Sequence, residues 1–143
     1  MNIYLLDTNV ISEPSKPVRN LSTVDKIKRN VEFSCISSIT WCEVLSGIKC
    51  LSKGAKREAL QEYYINQVQK IFDIIPFDTN AAAVYSDLME RLKEKGTPAP
   101  KFDMMIASTA IANNLILVTR NTADFKAIAE VSNLMLENWF EEK

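Results

Sequence analysis

At 143 residues the chain has room for one well-packed domain and too little for two. Its 47% apolar and 24% charged residues suit a globular protein and exclude a disordered one, and no apolar run reaches the roughly 18 residues of a membrane span. A formal net charge of −1 exerts no general pull on nucleic acid, and the absence of any histidine removes Ser-His-Asp and Cys-His nucleophile systems, histidine-ligated zinc and histidine acid–base catalysis together.

In chain order, the apolar run Ile3 to Leu6 ends at Asp7 and predicts a short buried strand with a carboxylate at its C-terminal end. In open α/β sheets ligands collect in the crevice beyond the carboxyl ends of the strands, where Asp7 would stand; Asp7 equally fits an N-cap of the next helix. Val10 and Ile11 begin that helix, Pro14 and Pro17 stop it, and Glu13 to Asn20 read as a polar connection. Leu21, Val24, Ile27 and Val31 then recur at helical spacing. Phe33 to Ile36 is read as a second strand, followed by a helix capped by Ser37 or Ser38 and carrying Ile39, Glu43, Val44, Leu45, Ile48 and Leu51.

Beyond Lys53 and Gly54 the spacing predicts a long helix with Leu60, Tyr64, Val68, Ile71 and Phe72 on one stripe. Ile74 to Phe77 is a third strand in which Pro76 must lie at an edge or end. Asp78 or Thr79 caps a helix bearing Ala82, Tyr85, Met89 and Leu92, which Gly96 closes. Phe102 to Asn113, rich in Ala and Met, predicts a helix packed closely on the sheet. Leu115 to Thr119, apolar on both faces, predicts a central parallel strand; Arg120 to Ala129 reads as loop and short helix, and Leu134 to Leu136 as a last strand before Trp139. Strands alternating with helices predict an α/β fold, a mainly parallel sheet with helices on both faces.

With the elements placed, four acids converge on one sheet edge: Asp7 after the first strand, Glu43 on the helix after the second, Asp103 at the start of the Ala-rich helix and Asp124 shortly after the strand at Leu115. Each taken singly also fits a cap or a helix-dipole partner. Together, clustered carboxylates repel unless a counter-charge joins them, and oxygen-only ligands without histidine or paired cysteine favour Mg²⁺ or Mn²⁺. Lys49, Lys53, Lys56 and Arg57 gather near a helix end, and Arg120 adjoins the site; these are candidate phosphate contacts or simply a solvated face. Cys35, Cys42 and Cys50 form neither a disulfide framework nor a zinc spacing, which points to reduced thiols and a cytoplasmic location, with Cys42 expected as a small core side chain. Tyr63 and Tyr64 are expected in core or dimer packing rather than base stacking. Trp41 and Trp139 carry no assignment.

Four segments, Leu5 to Ser12 (LLDTNVIS), Glu43 to Ile48 (EVLSGI), Asp103 to Ala110 (DMMIASTA) and Leu117 to Phe125 (LVTRNTADF), resemble the signatures of PIN-domain ribonucleases, within them the VapC and FitB toxins of toxin–antitoxin pairs. The resemblance runs from Asn2 to about Trp139. It implies a PIN-like three-layer α/β/α fold and a metal-dependent endoribonuclease in which Asp7, Glu43, Asp103 and Asp124 form the acidic site, with Asp7 and Asp103 as direct ligands of Mg²⁺ or Mn²⁺ and a metal-activated water as nucleophile. Thr8, Asn9, Thr119 and Asn121 would be supporting groups. It also implies an RNA substrate, a cognate antitoxin and a homodimer. The segment Ala99 to Phe102 ahead of Asp103 is less polar than that family pattern. A PIN-like module that binds protein or RNA without cutting stays open, as does an acid-rich phosphatase, although the latter needs a second Asp where Asn9 stands.

Overall fold

The structure, a computed structural model, describes residues 1–140. In chain order its regular elements are β1 (Tyr4–Leu6), α1 (Thr8–Ile11), α2 (Leu21–Arg29), β2 (Ser34–Ser37), α3 (Ser38–Cys50), α4 (Ala55–Gln61), α5 (Gln69–Ile71), β3 (Asp73–Ile75), α6 (Thr79–Lys95), α7 (Lys101–Ala112), β4 (Ile116–Val118), α8 (Lys126–Glu130) and β5 (Met135–Glu137). The strands form one five-stranded sheet in the order β3-β2-β1-β4-β5, every pairing parallel. β1 is the middle strand: Leu5 lies between Cys35 of β2 and Leu117 of β4. The chain builds outward from β1 to β3 on one side and then returns to place β4 and β5 on the other. The order therefore reverses between β1 and β4, and that switch point is where an open α/β sheet leaves a crevice at its strand ends.

Because side chains alternate along a strand, the two faces of β1 belong to two cores. Leu5, Cys35 and Leu117 pack with Leu88, Leu92, Met104, Ile106, Phe125 and Ile128 from the α6, α7 and α8 side. Leu6, Ile36 and Val118 pack with Val10, Ile11, Ile27, Val44, Ile48, Tyr64, Val68 and Trp139 on the other side. Leu5, Leu6 and Leu117 are wholly enclosed, so truncating any of them to Ala would cost about 2–5 kcal/mol. The expected α/β fold with helices on both faces is what forms. Among the described residues no helix is long and apolar enough to cross a membrane.

Several local expectations shift. α1 begins at Thr8, since Asp7 caps it. β2 runs from Ser34 to Ser37, leaving Phe33 exposed in a 3₁₀ turn, and Ser37 rather than Ser38 caps α3 by accepting the Thr40 N–H at 3.0 Å. The predicted long helix is interrupted by a π turn over Glu62–Val68. Residues spaced four apart drift by roughly 40° per step on an α-helix, and the wider turn takes up that drift so that Tyr64 and Val68 both stay buried. Ile71, expected on the same stripe, is 58% exposed. On α6 the inward face is Ala81, Leu88 and Leu92; Ala82 and Met89 are exposed, one position round from it. β3 ends before Pro76 and is an edge strand, the place a proline tolerates. β4 is an inner strand, but the centre belongs to β1, and β5 falls one residue later than expected.

Gly96 ends α6 in the left-handed region at φ 68°, donating its N–H to Lys93, while the Thr97 N–H reaches back to Leu92 at 3.0 Å. Gly47 lies inside α3, where an added Cβ meets nothing within 4 Å. One substitution should therefore act with opposite signs. Gly96→Ala is expected to lower unfolding stability by about 1 kcal/mol and Gly47→Ala to raise it by about 0.5–1 kcal/mol, read as shifts of the urea midpoint.

Candidate active site

Asp7 sits where β1 ends at the switch point, and its backbone N–H continues the ladder to the Val118 carbonyl at 2.9 Å. Its carboxylate is 8% exposed. Oδ1 accepts the Thr8 N–H at 2.8 Å, so the cap predicted as the alternative role is real and coexists with the site. Oδ2 accepts from the Thr119 hydroxyl at 2.9 Å and from Asn9 Nδ2 at 3.3 Å. Thr119 is itself enclosed at the end of β4; its Oγ1 accepts the Asn121 N–H at 3.1 Å and Asn9 Nδ2 at 3.3 Å. Asn9 Oδ1 in turn accepts the Arg120 N–H at 2.9 Å. Short side chains thus stitch the start of α1 to the segment after β4, with the Asp7 carboxylate at the centre.

Burial raises the Asp7 pKa, the three hydrogen bonds oppose it, and the Asp124 charge adds to the rise. Glu43 stands half-buried on α3, its Oε1 accepting from the Thr8 hydroxyl at 3.2 Å. Its pKa is raised by burial first and then by the charges of Asp7 and Asp103. Asp103 lies half-buried in the first turn of α7, where it makes no cap: Pro100 occupies that position without a side-chain bond. Burial raises the Asp103 pKa, followed by repulsion from Asp7 and Asp124. Asp124 is exposed on the 3₁₀ turn Thr122–Phe125, which enclosed Phe125 anchors to the core.

The four predicted acids therefore feel one another's charge, with Asp7 and Asp103 each sensing the other three. No cation is among the groups that shift Asp7, Glu43 or Asp103. Among the described residues no three such side chains are drawn together closely enough to enclose an ion. The donor set, all carboxylate oxygen and uncompensated, fits a hard divalent cation.

Other candidates separate. Arg120 adjoins the site, its guanidinium 4.7 Å above the Phe140 ring. Lys56 lines a groove of about 290 Å³ with Thr8, Glu43 and Lys16, whereas Lys49 and Lys53 are exposed outside its lining and Arg57 bonds the Leu51 carbonyl. Asn121 joins the network through its backbone alone in the bonds the structure gives. Cys42 is exposed and not the core side chain expected, because α3 turns its neighbours Val44 and Ile48 inward instead. Tyr63 and Tyr64 pack edge to face at 4.8 Å, and the Tyr63 hydroxyl donates to the Ile11 carbonyl at 2.7 Å, which ties that side chain to the end of α1. Trp139 is a core residue against Tyr4.

Glu13, read as part of a polar connection, is a buried carboxylate beside this site. Its accepted Asn20 N–H, the Lys16 ammonium and the Arg120 charge overcome burial and lower its pKa. The signal for it was the acid directly after Val10 to Ser12 with a lysine three residues on.

Three carboxyls with raised pKa values bind protons more tightly folded than unfolded. Their stabilising contribution is complete below the ordinary carboxylate range and is lost as pH rises through the raised values. Stability of the metal-free protein should accordingly increase as pH falls from 7 to about 5, and below that the lowered pKa of Glu13 acts in the opposite sense. Asp103→Asn should flatten part of this climb and raise metal-free stability at pH 7 by roughly 0.5 kcal/mol, a modest figure because solvent screens the group and a helix-dipole contact is lost. Urea titrations of both proteins across this range measure it; a large loss on substitution would make Asp103 a structural cap.

Comparison with known proteins agrees with this architecture. The PIN domain family model matches residues 4–131. The toxin FitB of Neisseria gonorrhoeae is 36% identical over 128 residues, spanning 87% of this chain and 92% of that protein. Ribonuclease VapC2 of Rickettsia felis is 32% identical over 139 residues, 96% of this chain and 98% of that protein. The crystal structure of FitAcB from Neisseria gonorrhoeae superposes with a TM-score of 0.88 at 32% identity, covering 98% of this chain and 100% of that one. With its parallel sheet, its acids at the switch point and these matches, the chain belongs to the PIN-domain family.

Proposed function

We propose that this protein is a metal-dependent endoribonuclease that acts as the toxin of a toxin–antitoxin pair. The observation that carries the reading is the Asp7 carboxylate, buried at the switch point and held by three donors while Glu43, Asp103 and Asp124 press charge upon it. A fold tolerates such crowding where the group has work to do. Relatives named ribonuclease and toxin support the same conclusion.

Asp7 and Asp103, each within range of all the other acids, would hold the metal, with Glu43 and Asp124 completing the site. A bound Mg²⁺ or Mn²⁺ would neutralise the acids and the incoming phosphate and acidify a water. Thr119, Asn9 and the Thr8 N–H keep the Asp7 carboxylate in one orientation, so that no reorganisation is needed when substrate arrives. Glu43, whose raised pKa makes it a better proton acceptor, would take the proton of an attacking water. Since no histidine is present to deprotonate a ribose 2′-hydroxyl, water is the nucleophile and the 3′-oxygen the leaving group.

A nuclease of this kind needs restraint. The groove lined by Val44, Ile48, Leu51, Leu60 and Tyr64 runs up to Thr8 and Glu43 and suits an apolar helix of an antitoxin, from which one Arg or Lys could reach the acids. The protein would work as a homodimer bound by that partner.

Purified protein with Mn²⁺ should cut single-stranded RNA to 5′-phosphate and 3′-hydroxyl ends, EDTA should stop it, and Asp7→Asn should lose at least about 100-fold in rate. Cleavage that persists in EDTA with 2′,3′-cyclic ends would sink this chemistry. Mn²⁺ at 100 times its dissociation constant should add about 2.7 kcal/mol of unfolding stability to the wild type and much less to Asp7→Asn. Growth arrest on expression should vanish with Asp7→Ala; an arrest of unchanged strength would refute the toxin's nuclease basis.

A further inference from the structure

The turn after α1 holds a carboxylate that this chemistry leaves unused. Glu13 is 4% exposed; its Oε1 accepts the Asn20 N–H at 3.1 Å, and its Oε2 meets Lys16 Nζ at 3.1 Å. Oε2 is shut off from solvent, and the Lys16 ammonium is the charge that it meets. A buried charge so sparsely bonded is costly unless opposite charge surrounds it. Lys16 provides part of that charge, and Arg120, within electrostatic reach of the same carboxylate, provides the rest. The Lys16 side chain is 45% exposed and Arg120 is exposed too, so solvent meets two cations and not the anion beneath them.

Both cations border the acidic crevice. Lys16 lines the groove that Thr8 and Glu43 also line. Arg120 directly follows Thr119, its backbone tied to Asn9 Oδ1 and its guanidinium laid over Phe140. Glu13, 3.1 Å from the Lys16 ammonium and within electrostatic reach of Arg120, offsets the repulsion between two cations at one crevice. With a net charge of −1 and a site made of acids, this chain must gather an RNA backbone with local cations. A guanidinium and an ammonium bordering one crevice offer the several donors that a phosphate accepts.

We propose that Lys16 and Arg120 form a subsite for an RNA phosphate neighbouring the scissile one, and that Glu13 is the positioning residue that holds the two cations together. The proposal rests on the nuclease reading above, and RNA binding separates the two. It is measured with a short single-stranded RNA, as cleavage kinetics of the active protein and as binding to Asp103→Asn protein over a salt series. Lys16→Gln and Arg120→Gln should each raise KM roughly five- to tenfold with kcat within about twofold. Each should also reduce the slope of log binding constant against log salt by about 0.7. Glu13→Gln keeps the size and the acceptor for Asn20 but not the charge; it should raise KM similarly, and adding Lys16→Gln to it should cost less than Lys16→Gln alone. A merely structural Glu13 would lower the melting temperature and leave KM and salt slope alone.

Unchanged KM and slope in the Lys16 and Arg120 variants overturn the subsite while cleavage upholds the nuclease. Tighter RNA binding by Glu13→Gln, or full additivity with Lys16→Gln, also overturns it. Binding with the expected slopes but no wild-type cleavage sinks the nuclease reading and keeps the subsite; neither binding nor cleavage sinks both. Variants that leave RNA alone yet weaken inhibition by a partner protein would assign the pair to that partner. If Glu13→Gln fails to fold, the Lys16 and Arg120 variants, changed at solvent-facing positions, still decide.

Discussion

A carboxylate enclosed at the end of the middle strand is the constraint on which the remaining architecture depends. Asp7 can stay buried only because its oxygens are bonded to Thr8, Asn9 and Thr119, and those partners come from the start of α1 and the end of β4, brought together by the β1–β4 pairing. The pairing places Leu6 beside Val118, so that the residues immediately following each strand, Asp7 and Thr119, meet across one hydrogen bond. A change in strand register would part them. The fold is thus tied to the site: the sheet order that leaves a crevice also delivers the donors that make an acid tolerable in it.

The same crowding sets stability against chemistry. Burial and mutual repulsion raise the pKa values of Asp7, Glu43 and Asp103, so the metal-free fold carries unfavourable electrostatics at neutral pH. Two hydrophobic cores, one on each face of β1, offset it. The residues that carry the electrostatic cost lie just past a strand end (Asp7), in a first helical turn (Asp103) and further along α3 beside buried Val44 (Glu43), where the core beneath fixes them. Phe125 shows the division of labour: the ring is enclosed, and its neighbour Asp124 is held at the surface of the crevice.

Charge beside the crevice is arranged by another rule. Glu13 is buried while Lys16 and Arg120 are exposed, so solvent meets the cations and not the anion whose charge they offset. Acids at the switch point and cations beside them give a chain of near-zero net charge a strongly polarised local surface. Phe140, under the Arg120 guanidinium, limits where that cation can go.

The sequence by itself determined the fold class and the approximate place of each element, and it singled out four candidate acids, because hydrophobic periodicity and an acid after an apolar run are local patterns. Asp7 after Leu5 and Leu6, Ser37 and Asp78 at helix starts and Gly96 at a helix end are legible since caps and turns depend on neighbours in the chain. Only the tertiary structure decided which residues meet across long separations. It set Thr119 on Asp7, made β1 rather than the more apolar β4 the centre of the sheet, inserted the π turn that keeps Tyr64 and Val68 inward, and turned Cys42 and Ile71 outward. Glu13 is the clearest case: its composition reads as polar loop, yet it is buried, bonded to the Asn20 N–H and paired with Lys16. Local patterns are written in propensities of a few residues, whereas burial and pairing arise when separate segments exclude water together, which no single segment encodes.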